Sequence, residues 1–527
     1  MKKLIVALLI LVMAFSIVGC GPTEAEVGGS PTPTPATGTK EPVDEPVDEP
    51  EETAEINVII WGVAGVPTDE ALQMVNDKLN EITIEKINTK VNFQIWDTGT
   101  YVGQAAVAVS SGDDIDLMCT FPAAAAHFAP MSSQNMLLPL DELLVEYAPE
   151  LLEIVPASYF DATTKNGEIV AVPVMANKVN DMYWVARKSV FDTLGVNEAD
   201  VKTLDDIHEV LLKVKEQHPN MLPLSGDNLT LDFTYPAFEL TNGGYFDPLG
   251  ETSAVAAIVR YDKDGNTDYK VVNRYETDEW LNITGMLQQW YREGLIDKDA
   301  ITHHGQGWPL QRDKNVFSAI RVTNMVSIES QSQAVGEDLV IIKLQEGTLA
   351  TNALAQMTWA LPVTCDEPEA ATKFMNLLYT DAEVINLLNY GVEGVHYILQ
   401  DDGTVAYPEG VTQENAEFNP GYVDYLGNHF LAYVRSGIDP DIQQRSFDFV
   451  QTATTSPLLG FSFDTGPVSD IYAQLSYICH DEYGPMLFTG AAPDGYQDEF
   501  IEKLYSVGLQ EYLDEAQRQL DEWLASK

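Results

Sequence analysis

The chain has 527 residues, too many for one small core, and its 45% hydrophobic and 9% aromatic content is that of a globular protein. Its formal net charge is -52, from 81 Asp and Glu against 29 Lys and Arg. That balance excludes nucleic acid and anionic membrane surfaces as partners, because binding phosphates requires clustered cations.

The amino terminus carries an address. Lys2 and Lys3 precede an uncharged apolar run from Leu4 to Val18, and Gly19 stands just before Cys20. This pattern predicts a secretory signal peptide over 1–19, and a retained membrane span fits it less well because a polar tail follows. Its junction resembles a bacterial lipobox, which implies that Cys20 is acylated and begins the mature chain. Residues 20–55 contain Pro31-Thr32-Pro33-Thr34-Pro35 and a repeated Glu-Pro-Val-Asp unit, a composition for a semi-stiff acidic spacer with no core of its own. The remaining cysteines, Cys119, Cys365 and Cys479, are widely spaced and contain no C-x-x-C, so neither a disulfide framework nor a zinc site is expected.

From Ile56 the pattern is that of a folded domain running to 527. Ile56 to Trp61 reads as a buried strand, Asp69 to Asn80 as a helix, Val91 to Trp96 as a second strand, Tyr101 to Ser110 as a helix and Ile115 to Cys119 as a third strand. This β-α-β-α-β order predicts a parallel sheet with crossover helices and places Trp61, Trp96, Asp97, Thr120 and Phe121 at the carboxyl ends of its strands, where ligands sit in such sheets. Further on, Glu168 to Pro173 and Asn180 to Arg187 read as extended. Thr203 and Asp206 form a capping-box pattern, and hairpins turn at Asp264-Gly265 and Asp402-Gly403. Leu354 to Pro362 reads as a strand, and a final helix over Asp498 to Ala525 buries Leu509, Tyr512, Leu513, Ala516, Leu520 and Trp523.

Catalytic signatures are missing from the sequence. No G-x-S-x-G, H-E-x-x-H, P-loop or G-x-G-x-x-G occurs, and the histidines are scattered apart from His303-His304. The run Asp262 to Asp268 has acids at calcium-loop spacing, but glycine falls at its fourth position, so a solvated turn is the better reading and a cation site the alternative. Neither a catalytic residue nor a cofactor is expected. The aromatics say more: Trp61, Trp96, Trp184, Trp308 and Trp359 fall at strand ends or in loops, and such rings stack on the apolar faces of sugars.

Together the lipobox, the spacer, Ser111-Gly112-Asp113-Asp114-Ile115-Asp116, Glu168 to Pro173 before Tyr183-Trp184, Asn389 to Tyr397, and the stretch from Ser456 to the final helix resemble the extracellular solute-binding lipoproteins of ABC importers, in their carbohydrate-type, maltose-binding-protein-like branch. The resemblance implies an α/β fold of two lobes, each a mixed, mainly parallel sheet flanked by helices and joined by crossing hinge strands near Val172 to Tyr183 and Gln356 to Pro362. Lobe 1 would comprise about 56–173 plus a segment after 360, and lobe 2 about 174–355 plus carboxyl-terminal segments. It implies capture of a sugar, a neutral oligosaccharide, in the inter-lobe cleft for a membrane permease. The partners would be that ligand, the permease and the membrane through the lipid, with the monomer on the outer face of the cell membrane. Cleft candidates are Trp61, Thr120, Phe121, Tyr183, Trp184, Asp232, Trp308, Trp359 and Glu393, with His396 beside Glu393 as a structural or binding partner. Two readings stay open: a secreted glycoside hydrolase, and a surface adhesin or sensor without transport.

Overall fold

In the computed structural model, residues 52–122, 124–226, 244–250, 255–302, 308–422 and 425–527 are described. The signal peptide, Cys20, most of the spacer, Asp232, His303 and His304 lie outside them. Strand β1 (Ala54–Gly62) is buried from Val58 onward, as befits the interior of a sheet. It pairs in parallel with β2 (Thr89–Asp97) and with β3 (Leu117–Cys119). The helices between them start where the sequence supplies caps: the Thr68 hydroxyl accepts from the Ala71 amide, and the Asp97 carboxylate accepts from that of Thr100. Asn88, at φ 49°, closes the first helix about two turns beyond the predicted stretch.

The rest of this sheet arrives from far along the chain. Its order is β2-β1-β3-β14-β6, where β14 (Thr358–Ala360) lies antiparallel to β3 and to β6 (Val172–Pro173). Asp116, buried below β1, accepts from the Asn57 amide on one oxygen and from the Asp366 and Glu367 amides on the other. This carboxylate ties the opening strand to the helix Pro368–Thr380, which accounts for an acid at that position in the Ser111 to Asp116 string. A small hairpin, β4 (Thr164–Lys165) with β5 (Glu168–Ile169), sits at the margin.

A second sheet has the order β13-β7-β12-β8, formed by Leu339–Gln345, Asp181–Arg187, Val316–Thr323 and Leu222–Leu224 respectively. Both sheets are mixed as expected, but the second is mainly antiparallel, since β7 runs against both of its neighbours. A third sheet, of β9 (Gly244–Asp247), β10 (Ala257–Asp262) and β11 (Val271–Asn273), shares its core with the carboxyl-terminal helices. The predicted final helix is two, Tyr496–Ser506 and Leu509–Ser526, because Gly508 adopts φ +109° between them. The helix Asp278–Arg292 staples this body to the second sheet: Trp280 enters one core, and Ile283, Leu287 and Trp290 the other.

The chain passes between the first and second sheets twice, through residues 174–180 and 346–357, and a third passage at about 453–458 leads from the core of the first sheet into that of the third. The passages touch one another. Gly347 packs so closely on the Asn180 backbone that a Cβ there would lie 2.0 Å from the Asn180 carbonyl oxygen, and Leu349 bridges in parallel to Thr455. Asp181, buried at the start of β7, accepts from the Gly347 amide at 2.9 Å and from the Tyr183 hydroxyl at 3.0 Å, with Lys343 Nζ at 3.5 Å. The second passage falls earlier than Gln356 to Pro362, because Thr358–Ala360 is already a strand of the first sheet and Thr351–Ala355 is a helical turn.

Candidate functional site

A cavity of about 720 Å³ lies between the helix Met325–Val335, which follows β12, and the segment that runs from the end of the helix Ala382–Tyr390 to Gln443. The helix contributes Ser327, Ser330 and Gln333. Its start is set by Asn324, whose side-chain oxygen accepts from the Ser327 amide at 2.9 Å. The opposite wall is a shelf of tyrosines, Tyr390, Tyr407, Tyr422 and Tyr433, with Arg435 among them.

Local chemistry holds that shelf. Gly391, at φ +82°, ends the helix after Tyr390, and a side chain there would strike the His396 ring. The His396 Nδ1 accepts from the Val392 amide at 2.9 Å, closing the turn, and burial pulls its pKa down. The hairpin of β15 (Ile398–Leu399) and β16 (Val405–Ala406) then delivers Tyr407. Gly421, at φ +75°, lets the chain rest on the loop after β1: its Cβ would come within 2.7 Å of Ala64 Cβ, and the Pro420 carbonyl accepts from the Val63 and Ala64 amides. Tyr422 is thereby set beside the carboxyl end of the first sheet.

The Arg435 guanidinium lies 3.9 Å from the Tyr407 ring centroid and 5.0 Å from that of Tyr390. The Tyr390 hydroxyl donates to the Tyr433 carbonyl. Burial pushes the Tyr390 phenol up to about 12 although Arg435 acts in the opposite direction, and it pushes Tyr422 well above the usual phenol range. The hydroxyl of Tyr422, the side-chain oxygen of Asn389 and Nη1 of Arg435 are buried without a hydrogen-bond partner. Unmade bonds of this kind cost about 1–3 kcal/mol each, so a ligand bearing hydroxyls or carboxylates has donors and acceptors to meet.

This architecture has counterparts. A family model described as bacterial extracellular solute-binding protein matches residues 65–302, and one described as a domain of unknown function matches residues 457–525. A carbohydrate ABC transporter substrate-binding protein of Streptococcus pneumoniae is 26% identical over 458 residues, 85% of this chain and 87% of its own. Over residues 65–302, then, the chain is similar to bacterial extracellular solute-binding proteins. Lipoprotein LipO of Bacillus subtilis is 27% identical over 216 residues, 38% of this chain and 41% of its own. In fold, the chain is similar to the crystal structure of an N-glycan transport solute binding protein from Streptococcus pneumoniae, with a TM-score of 0.73 at 23% identity, covering 90% of this chain and 99% of that one. The two-lobed arrangement is that of these receptors.

None of the described residues nominated from sequence lines this cavity. Trp61 and Phe121 do meet, with centroids 4.9 Å apart, but Trp61 is also covered by Tyr101 and Tyr425 and is 3% exposed. Thr120 is a buried ladder residue whose hydroxyl lies 3.0 Å from that of Thr358. Trp359, beside it, is fully buried and donates Nε1–H to the Tyr425 carbonyl at 3.2 Å. Trp184 packs edge-on to Phe191 and Phe317 on the helix-covered face of the second sheet. These three are corrected to core residues: alternation along β7 and pairing of β14 turn them inward. Tyr183 and Trp308 share a cluster on the opposite face of β7, with the Arg321 guanidinium 6.0 Å from the Trp308 ring. Glu393 is exposed on the outside of the turn that carries Tyr390, so of the Asn389 to Tyr397 string it is Asn389 and Tyr390 that line the cavity and not Glu393.

The cavity's own tyrosines lie outside the strand-end and loop tryptophan pattern, and Tyr183, the one tyrosine among the candidates, is not one of them. One signal was available: between Lys373 and Arg445 the only lysine or arginine is Arg435. Among the described residues no cluster of His, Cys, Asp and Glu is arranged to hold a metal. At the Asp262 turn the carboxylate accepts from the Asp264 and Asn266 amides and from the Asn266 side chain, which engages its oxygens in the turn itself.

Proposed function

We propose that the chain is the extracytoplasmic receptor of an ABC importer, which captures an oligosaccharide between its lobes and presents it to a membrane permease. The observation that carries this is the cavity of about 720 Å³ that joins Ser327, Ser330 and Gln333 on one side to the tyrosine shelf on the other. Tyrosine faces suit sugar rings, while amides, hydroxyls and Arg435 suit sugar hydroxyls. The relatives support this reading, one being a carbohydrate ABC transporter substrate-binding protein and another an N-glycan transport protein.

In this proposal lobe 1 is 56–173 with about 356–452, including β14, and lobe 2 is 174–355 with about 456–527. The helix of lobe 2 and the shelf of lobe 1 move apart to admit ligand, and ligand selects the closed arrangement. Tyr390, Tyr407, Tyr422, Tyr433 and Arg435 contact the sugar, and Trp61, Phe121, Tyr183 and Trp308 support the walls. The protein binds without turnover, since glycoside hydrolysis takes two carboxyl groups flanking the bond and the described lining carries none. Cys20 holds the lipid, and residues 21–55 set the reach from the membrane.

Calorimetric titration of the full-length chain, purified in detergent, with an oligosaccharide, peptide and nucleotide panel tests the reading. Saturable one-site binding of an oligosaccharide with no product by mass spectrometry is expected. Binding of peptides alone, or release of smaller sugars, would overturn it. Incorporation of labelled palmitate that survives in Cys20→Ser would remove the anchor.

A further inference from the structure

Arg435 is anomalous in this chain. Arg187, Arg260, Arg292, Arg445 and Arg518 each pair with an Asp or Glu, as expected where 81 acids surround 29 cations. The Arg435 guanidinium makes neither an ion pair nor a hydrogen bond with any described residue, and its Nη1 is buried. It is instead held flat by Tyr407 and Tyr390, which fixes the plane of its donors. None of the described residues lining the cavity is Asp or Glu. A half-buried cation left without a counter-ion is costly, whereas a fixed guanidinium matches the two oxygens of a carboxylate in parallel hydrogen bonds.

We propose that the ligand is an acidic oligosaccharide, one that carries a carboxylate on a uronic- or sialic-type residue, and that Arg435 is the specificity-determining residue that receives it. This rests on the sugar reading above and replaces the neutral ligand expected from family resemblance. The overall charge of -52 does not prevent it. Repulsion from distant acids is screened over about 8 Å at physiological salt, while the contact with Arg435 is local and desolvated.

The test is a panel of carboxylated glycans, including oligogalacturonides and sialyl-oligosaccharides, each measured by calorimetry against its carboxyl-reduced counterpart on the full-length chain. The tightest ligand is expected in the carboxylated half, and carboxyl reduction is expected to weaken it by at least about tenfold, the scale of losing one partner of a buried charge pair. Arg435→Gln should weaken that ligand by a similar factor and its carboxyl-reduced form by clearly less, so that the two forms bind the variant alike, and Arg435→Lys, which keeps charge but loses the planar fork, should fall between. An unchanged melting temperature for Arg435→Lys separates specificity from folding. If the tightest ligands are neutral, or carboxyl reduction leaves affinity unchanged, the acidic-ligand proposal fails and the sugar reading stands. If neither half of the panel binds, both fail.

Discussion

Two aromatic assemblies in this protein differ in kind. Trp61, Trp184 and Trp359 sit in sheet cores, each within 3% of full burial. Tyr390, Tyr407, Tyr422 and Tyr433 line a cavity and keep polar tips that are engaged locally or left for a ligand. An indole of large area is best placed where burial is complete; its single donor is satisfied by one carbonyl at Trp359, while the Trp184 Nε1 is buried without a partner. A phenol serves at a wet wall because its face is apolar and its hydroxyl both donates and accepts. Aromatic type, and not merely aromatic presence at a loop or strand end, separates the sheet cores from the cavity wall here.

The sharpest way to break that contrast is Trp359→Ala. Removing a fully buried indole between β3 and β6 should cost about 3–5 kcal/mol of stability, read by denaturant melting. Affinity of the molecules that remain folded should stay within about twofold. A large loss of affinity with little loss of stability would return Trp359 to the ligand site. Gly421→Ala is next. Its Cβ would press on Ala64 at a positive φ, costing about 1–3 kcal/mol, and because Tyr422 follows directly, stability and affinity should fall together. A variant that binds normally would detach the shelf from the first sheet.

The fold was legible in its first third because the signals there are local. Alternation in Val91 to Trp96, the caps Thr68 and Asp97, and Gly112 at a helix end each act within a few residues. The joining of β14 and β6 to that sheet was not legible, since their two- and three-residue pairings are set by contacts hundreds of residues apart. Gly508 was read through because the helical periodicity on both sides is strong and a single glycine is tolerated in many helices. The site was least legible. Its walls come from Met325–Val335 and from turns between Asn389 and Gln443, and only their convergence gives Tyr407 or Ser327 a role. Asn389 to Tyr397 stood out as a string, but which of its side chains faced inward depended on the His396 turn.

The shelf itself is probed by Tyr407→Ala. The ring carries Arg435 at 3.9 Å, so its loss removes a stacking face and loosens the guanidinium. Affinity for the tightest glycan should fall by about 1–3 kcal/mol, with a melting temperature within a few degrees of the parent. Tyr407→Phe should retain most of the affinity if the face matters more than the hydroxyl. Equal losses in Phe and Ala variants would assign the contribution to the hydroxyl instead.

The mildest test lies under the other assembly. His127 begins the short helix Phe128–Ser133 next to the loop that carries Phe121, whose amide donates to the Ala126 carbonyl. Burial lowers its pKa to about 4, below the ordinary imidazole value of 6.5. The folded state therefore holds this ring neutral while the unfolded chain takes up a proton, so protonation favours unfolding. The contribution to stability is full above pH 6.5 and is lost progressively as pH falls towards 4. With screening at a partly exposed site it amounts to about 1–2 kcal/mol. His127→Gln should flatten the fall in melting temperature between pH 7 and pH 4.5 relative to the parent. It should not alter affinity at pH 7, because no atom of His127 lines the cavity. An identical pH profile in the two proteins would place the acid sensitivity elsewhere, and a change in affinity at pH 7 would connect the Trp61 cluster to the ligand after all.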